Sequence, residues 1–406
     1  MPDRPADKRY FEDPSPGADE GRFTVDNNSA QYYSSPYYKL HQTQVLEVPK
    51  PRGTPIVKLE DVWGADRVAQ IVKSGQIVFH AVGDTGAARY TGPATQAHVA
   101  DGMAADFKGN AATDPSFLYL LGDIVYNFGE DQYYYDQFYE PYRAYRAPIF
   151  AIPGNHDGMV YSGTAQTLEA FLKNFCAATP VHPAEAGNLV RTTMTQPGVY
   201  FTLEAPFISI IGLYSNVLEF GGVISSKNGK FPKVGDEQKA FLTAELKRLK
   251  AKRASNDNAV IVAVHHPPYS ADNTHGGSAG LLEDLDEASH AAGLWPDAVF
   301  SGHAHLYQRF TRNAPGGTQI PYLVSGSGGY NVARAAAGTG GVPKKLPLKA
   351  AGTGDHSLVQ CIREYGYMTV TVAKGKLKIA FNSVSRKANP ADACVVDLKT
   401  RKIAKA

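Results

Sequence analysis

A chain of 406 residues with 43% apolar and 20% charged residues has the profile of a soluble globular protein, long enough for one large or two ordinary domains. Lys and Arg number 41 and Asp and Glu 39, so the net charge of +2 gives no electrostatic case for nucleic acid as the main partner. Three cysteines, Cys176, Cys361 and Cys394, are odd in count and widely spaced, which excludes a disulfide framework or zinc-finger spacing and leaves small buried apolar residues as their reading.

Residues 1–55 are rich in Pro, Ser, Asp and Tyr and lack sustained periodicity. Their first ten residues are charged and carry no apolar signal region, so cytoplasmic is the default location, with a secreted or periplasmic one if the chain is a trimmed piece. No run approaches the roughly 18 apolar residues of a membrane span. The cluster Tyr32, Tyr33, Tyr37 and Tyr38 is too aromatic for a solvated tail. It predicts an arm that packs on the body or on a second subunit of a homo-oligomer, against a disordered leader as the competing reading.

Residues 61–74 suit a helix closed by Gly75, and 76–82 a strand followed by Gly83-Asp84-Thr85-Gly86. Residues 94–108 read as a helix, and 117–121 as a buried strand that stops at Gly122-Asp123-Ile124-Val125-Tyr126. The Tyr-rich stretch 130–146 is expected to be helical and broken or kinked at Pro141. A third short strand, 149–152, runs into Pro153-Gly154-Asn155-His156-Asp157. An amphipathic helix at 165–178, antiparallel strands at 199–203 and 207–213 and a loop at 220–234 come next. Asp236 is placed to cap a helix through Arg253.

The apolar strand 259–264 ends in His265-His266-Pro267-Pro268-Tyr269, and 298–300 ends in Ser301-Gly302-His303-Ala304-His305. Residues 322–325 lead into Gly326-Ser327-Gly328-Gly329. The stretch 331–357 is expected to be a lid or a loop, with Lys344, Lys345 and Lys349 as a solvated basic patch. A hairpin of 367–372 and 377–383, turning at Lys374-Gly375-Lys376, closes the body, and 391–406 is left as a tail.

Strands alternate with helices, and several strands are apolar on both faces, which predicts sheet buried between helices. In such folds ligands bind beyond the carboxyl ends of strands. Five strand ends here carry Asp, Asn or His just past a Gly or at the last strand residue. Alone, Asp84 and Asp123 could be turn residues, Asn155-His156-Asp157 an ordinary turn, His303 and His305 loop histidines and Tyr126 a packing residue. Together they supply hard oxygen donors and imidazoles, a set suited to iron, manganese or zinc. Seven donors, Asp84, Asp123, Tyr126, Asn155, His265, His303 and His305, with Asp123 shared, make four bonds to each of two ions. Such a pair acidifies a bound water and clamps the oxygens of an in-line displacement at phosphorus.

The five blocks Gly83-Asp84-Thr85-Gly86, Gly122-Asp123-Ile124-Val125-Tyr126, Gly154-Asn155-His156-Asp157, Val262-Ala263-Val264-His265 and Gly302-His303-Ala304-His305 resemble those of the purple acid phosphatases, within the calcineurin-like metallophosphoesterase superfamily. Most members of that superfamily have Asp-x-His in the first block. Here Thr85 and Gly86 follow Asp84, and Tyr126 stands in for the missing imidazole, as in the purple enzymes. The third block ends in Asp157, as in animal members, where plant ones carry Glu.

The resemblance implies a four-layer α/β/β/α metallophosphoesterase sandwich, α/β in class, with an irregular N-terminal arm (1–55), a catalytic domain (56–390) and a C-terminal tail (391–406). It resembles a compact bacterial-type member. Asp84, Asp123, Tyr126 and His305 would hold Fe(3+), and Asp123, Asn155, His265 and His303 a divalent partner, Fe, Zn or Mn. His266 adjoins His265 and is the alternative fourth-block ligand, with strand alternation favouring His265. Metal-bound hydroxide would attack a phosphate monoester, a small molecule or a phosphoprotein, and release inorganic phosphate. His156 and Asn155 would contact substrate, with Asp157 or a backbone group fixing the His156 ring. His275, ten residues past His265, stands where plant members have a second substrate-contacting His, against a solvent-facing loop residue as the competing reading. The implied activity is an acid phosphatase; phosphodiester hydrolysis at the same centre, a catalytically idle metal-holding protein and metal-driven redox chemistry are the alternatives.

Overall fold

The computed structural model describes residues 47–405 apart from 88–91, 127, 160–165, 216–220, 257, 334–341, 344, 350–353 and 389. The Tyr32–Tyr38 cluster, most of the arm and Lys344 therefore lie outside the described residues. Sixteen described strands, numbered along the chain, form two sheets. The first runs, in spatial order, β1 (Ile56–Lys58), β5 (Phe201–Ala205), β6 (Ile208–Leu213), β7 (Ala259–Val264), β8 (Ala298–Ser301), β10 (Gln319–Ser325), β9 (Tyr307–Asn313), β12 (His356–Ile362) and β11 (Leu348–Lys349). The second runs β16 (Lys402–Lys405), β15 (Asp392–Asp397), β14 (Lys376–Ser383), β13 (Gly366–Ala373), β2 (Gln76–Val82), β3 (Leu118–Leu120) and β4 (Ile149–Ala151). Each has a parallel centre, β6-β7-β8-β10 in one and β2-β3-β4 in the other.

Side-chain alternation builds the layers. In β7, Ala259, Ile261 and Ala263 face the space between the sheets, while Val260, Val262 and Val264 pack with Leu242, Leu246, Leu281 and Leu285 of the helices Glu237–Asn256 and Ala279–Ala292. Around β3, Phe117, Tyr119 and Leu121 face inward, and Leu118 and Leu120 face the helix Gly92–Ala104 and the Tyr-rich segment. Period two explains why these strands are apolar throughout: both faces are covered. The result is the α/β/β/α sandwich. Because the parallel centres end at one edge, the carboxyl ends of β2, β3, β4, β7 and β8 meet there. Among the described residues no helix is long and apolar enough to cross a membrane.

Several local expectations need correction. Residues 61–74 are not one helix: Gly64, at φ 86°, separates Leu59–Trp63 from Ala65–Ser74. The segment 130–146 holds a short 3-10 turn and a π turn in place of an α-helix broken or kinked at Pro141, with the Glu140 N–H reaching the Tyr135 carbonyl at 2.9 Å just before Pro141. Asp236 heads the following helix through its carbonyl, which accepts from the Ala240 N–H at 2.9 Å, while its carboxylate accepts from the Ser226 N–H (2.8 Å) and hydroxyl (3.0 Å). Residues 331–357 are not loop throughout, since β11 and the start of β12 fall within them. The stretch 391–406 is no tail: β15 pairs with β14 and β16 with β15. Arg309 of β9 holds Asp392 of β15 through Nε at 2.7 Å and Nη2 at 2.9 Å, tying this end of the chain to the first sheet.

Candidate metal centre

The loops after the strands are sewn together by their own backbone. The Asp84 N–H donates to the Gly122 carbonyl at 2.9 Å and the Thr85 N–H to the Asp123 carbonyl at 3.1 Å. The Gly302 N–H reaches the His265 carbonyl at 3.0 Å. Asp84, Asp123 and His303 adopt left-handed backbone, at φ 57°, 55° and 66°. None is glycine, so each is strained and held by its surroundings. Packing at Gly154 is so close that a Cβ there would lie 2.1 Å from Asp123 Oδ1.

Two groups of donor atoms result, and both contain Asp123 Oδ2. In the first, the Tyr126 hydroxyl lies 3.0 Å from Asp123 Oδ2, 3.2 Å from Asp84 Oδ1 and 3.5 Å from His305 Nε2, and His305 Nε2 is 3.3 Å from Asp84 Oδ1. In the second, His265 Nε2 lies 3.3 Å from Asp123 Oδ2 and 3.1 Å from Asn155 Oδ1, which is 3.0 Å from His303 Nδ1. Ligand atoms of Asp123, His265 and His303 all fall within 4.8 Å of one another. The remaining carboxylate oxygens take backbone donors: His303 N–H to Asp84 Oδ2 at 2.8 Å and His156 N–H to Asp123 Oδ1 at 2.9 Å. Thus all seven expected donors converge. The His266 ring lies 4.2 Å from that of His303, but its Nδ1 faces the Ser215 hydroxyl at 2.7 Å rather than either donor group.

A family model described as calcineurin-like phosphoesterase matches residues 77–307, more than half of the chain. The chain belongs to this family. Its fold is similar to a purple acid phosphatase, PPD1, from yellow lupin, at 14% identity and a TM-score of 0.55, over 79% of this chain and 53% of the lupin one. It thus spans about half the lupin chain's length. It is also similar to GAP50, the anchor in the inner membrane complex of Plasmodium, at 15% identity and a TM-score of 0.53, over 78% of this chain and 87% of that one. No curated protein sequence matched. The two structural likenesses speak to fold, and the family supplies the expectation of a dinuclear metal centre.

The residues fit such a centre. His265 Nδ1 faces the Leu121 carbonyl at 2.7 Å and so carries a proton. In a neutral ring, Nε2 is then a lone pair aimed at two oxygen acceptors, an arrangement that calls for a cation. Without one, Asp123 supplies the main counter-charge: burial lowers the imidazole, yet Asp123, with Asp84 and the Leu121 carbonyl, lifts His265 to about 9. His303 is held well below the ordinary imidazole range by burial and by the surrounding histidines, and its buried Nε2 has no hydrogen-bond partner. The ring is therefore neutral, and its Nδ1, the nitrogen beside Asn155 Oδ1 in the second group, can offer a lone pair to a cation when the proton rests on Nε2. Among the described residues, imidazoles are the only cation-forming side chains within ion-pair distance of Asp84 and Asp123.

Two imidazoles stand beside the donors. The His156 ring is 4.3 Å from the Tyr126 ring, and His275 is 4.4 Å from His303 and 5.5 Å from His305. His275 thus faces the cluster, with Nδ1 3.2 Å from Asp272 Oδ2. Of the two expected supports for the His156 ring, Asp157 or a backbone group, Asp157 has its oxygens engaged elsewhere: they accept backbone N–H bonds from Asp123, Ile124, Val125 and Gly154 at 2.8–3.3 Å.

Sequence reasoning missed three further residues. Gln137 pairs with Tyr126 through both backbone groups at 3.0 Å and also accepts from the Ala87 N–H at 3.0 Å. Asn331 Oδ1 lies 2.5 Å from His305 Nδ1, which leaves Nε2 of that ring for the cluster. Tyr330 stacks on Tyr126, at 3.7 Å between ring centroids. The only signal was the Gly-rich end of β10, a sixth strand end with no donor immediately after it.

Proposed function

We propose that this chain hydrolyses phosphate monoesters, as an acid phosphatase, at a centre where Asp84, Asp123, Tyr126 and His305 hold a ferric ion and Asp123, Asn155, His265 and His303 hold a divalent Fe, Zn or Mn. The observation that carries the reading is the position of Asp123 Oδ2, 3.0 Å from a phenol on one side and 3.3 Å from an imidazole on the other. When bound, the metals would supply Lewis acidity toward a phosphoryl oxygen and bring a water's pKa near neutrality.

The chain's own residues do the rest. The carboxamide of Asn155, the backbone-held carboxylates and the left-handed turns fix the donors before any ligand arrives. His156 and His275, outside both donor groups, are positioned to hydrogen-bond the phosphoryl group and to give a proton to the leaving alkoxide oxygen. Asp272 accepts from His275 Nδ1–H, which leaves Nε2 for that role.

Metal content and turnover test the reading together. The protein loaded with iron and a divalent metal is expected to hydrolyse p-nitrophenyl phosphate faster than bis(p-nitrophenyl) phosphate. His156→Ala should lower kcat about 100-fold or more, and Asn155→Ala should lose turnover with the divalent metal. A faster diester reaction would favour a phosphodiesterase. A fully loaded parent that turns over neither ester would favour the metal-holding alternative, a real contest because a similar fold serves in Plasmodium as an anchor.

A further inference from the structure

Tyr330 lies outside both donor groups, yet its ring is nearly parallel to that of Tyr126, at 10° and 3.7 Å between centroids. Aromatic pairs usually sit 4.5–7 Å apart, edge-on or offset, because facing quadrupoles repel. Such a close parallel pair therefore has to be enforced. The enforcement is visible in the chain. Gly328 and Gly329 let the end of β10 press onto the first motif loop, where a Cβ at Gly328 would lie 2.5 Å from the Gly83 carbonyl oxygen and one at Gly329 2.7 Å from that of Thr85. The Gly328 N–H then donates to Gly83 and the Tyr330 N–H to the Asp84 carbonyl, at 3.1 and 3.2 Å. Tyr330 is delivered to a buried place where it meets Tyr126 face to face and His305 edge-on at 5.2 Å.

We infer that Tyr330 is a positioning residue whose ring fixes the plane of the Tyr126 phenol toward the cation that Tyr126 would hold. The inference rests on the proposed ligand role of Tyr126. The π donation of a phenolate to a metal, which gives its charge-transfer band, uses the oxygen orbital perpendicular to the ring, so the ring plane governs that overlap. Rotation of Tyr126 about its Cα–Cβ or Cβ–Cγ bond would drive its ring into Tyr330. The hydroxyl is thereby kept between Asp84 Oδ1 and Asp123 Oδ2. The interaction needs a flat ring at position 330 and not its hydroxyl.

The test is the visible spectrum of the iron-loaded protein. Tyr330→Phe should keep the position and intensity of the phenolate-to-iron band. Tyr330→Leu should shift and weaken it and speed iron loss to a chelator. If Tyr330→Leu does not fold, Tyr330→Met carries the same expectation with an unbranched chain. An aliphatic variant with the parental band and chelator rate overturns the inference while the loss of the band in Tyr126→Phe preserves the ligand assignment. An iron-loaded parent whose spectrum is unchanged by Tyr126→Phe overturns both.

Discussion

Asp157 Oδ2 accepts the backbone N–H of Asp123 at 2.9 Å, so the third motif block holds the second in place. The same oxygen takes the Gly154 N–H at 2.8 Å, and Oδ1 takes Ile124 and Val125 at 3.1 and 3.3 Å. Asp157→Asn replaces one acceptor by an NH2 that faces N–H donors. A loss of about 2–4 kcal/mol follows from stranding buried N–H donors. Urea unfolding gives the loss, and metal analysis should show fewer than two ions per chain; unchanged values for both would refute the role.

Gln137 makes a comparable clamp from the side of the phenol. Gln137→Leu leaves the Ala87 N–H, the Tyr126 N–H and the Tyr126 carbonyl without this partner. At roughly 1–3 kcal/mol for each stranded buried group, a destabilisation on the order of 3 kcal/mol or more is expected. Gln137→Glu keeps an acceptor for the two N–H groups and should fall between, which the unfolding midpoints of the three proteins will show.

Gly154→Ala tests steric exclusion. The added methyl would lie 2.1 Å from Asp123 Oδ1 and 2.5 Å from Asp123 N, so Asp123 must move. Metal content should drop sharply, with a stability loss of about 1–3 kcal/mol. Gly109→Ala is the control: that site has φ +79° and no atom within 4 Å, so about 1 kcal/mol of backbone strain and full metal content are expected.

A pH-dependent cost sits at Glu130. Burial pushes its carboxyl from 4.5 up to about 7, partly offset by backbone N–H donors including that of Phe128. Between these values the folded chain binds a proton that the unfolded chain has released. Its stability therefore falls as pH rises from 4.5 to 7 and loses nothing further above that. Glu130→Gln should remove the slope, raising stability by about 3 kcal/mol at pH 8 and by almost nothing at pH 4. Parallel pH profiles of melting temperature for the two proteins would contradict this.

The donors were legible in the sequence because each follows an apolar strand whose end is marked by glycine, proline or a run of histidines. Tyr330 and Asn331 were not, because four residues of Gly-Ser-Gly-Gly separate them from β10 and their partners come from distant loops. Gln137 was hidden in a tyrosine-rich stretch whose helical pattern gives way to a π turn. β9 was hidden by its charges: Arg309 and Arg312 look solvated in sequence but pair with Asp392 and Asp286 across the fold. β15 and β16 carry no local signal for a related reason, since their pairing partners lie in β14 and in each other.

The left-handed conformations of Asp84, Asp123 and His303 carry an engineering consequence. Glycine at any of the three would relieve about 1–2 kcal/mol of backbone strain, offset in part by the larger freedom of glycine in the unfolded chain, and would delete a donor. A directed-evolution campaign scored on heat resistance alone is therefore drawn toward the very positions the chemistry needs, and should be counter-selected for metal retention.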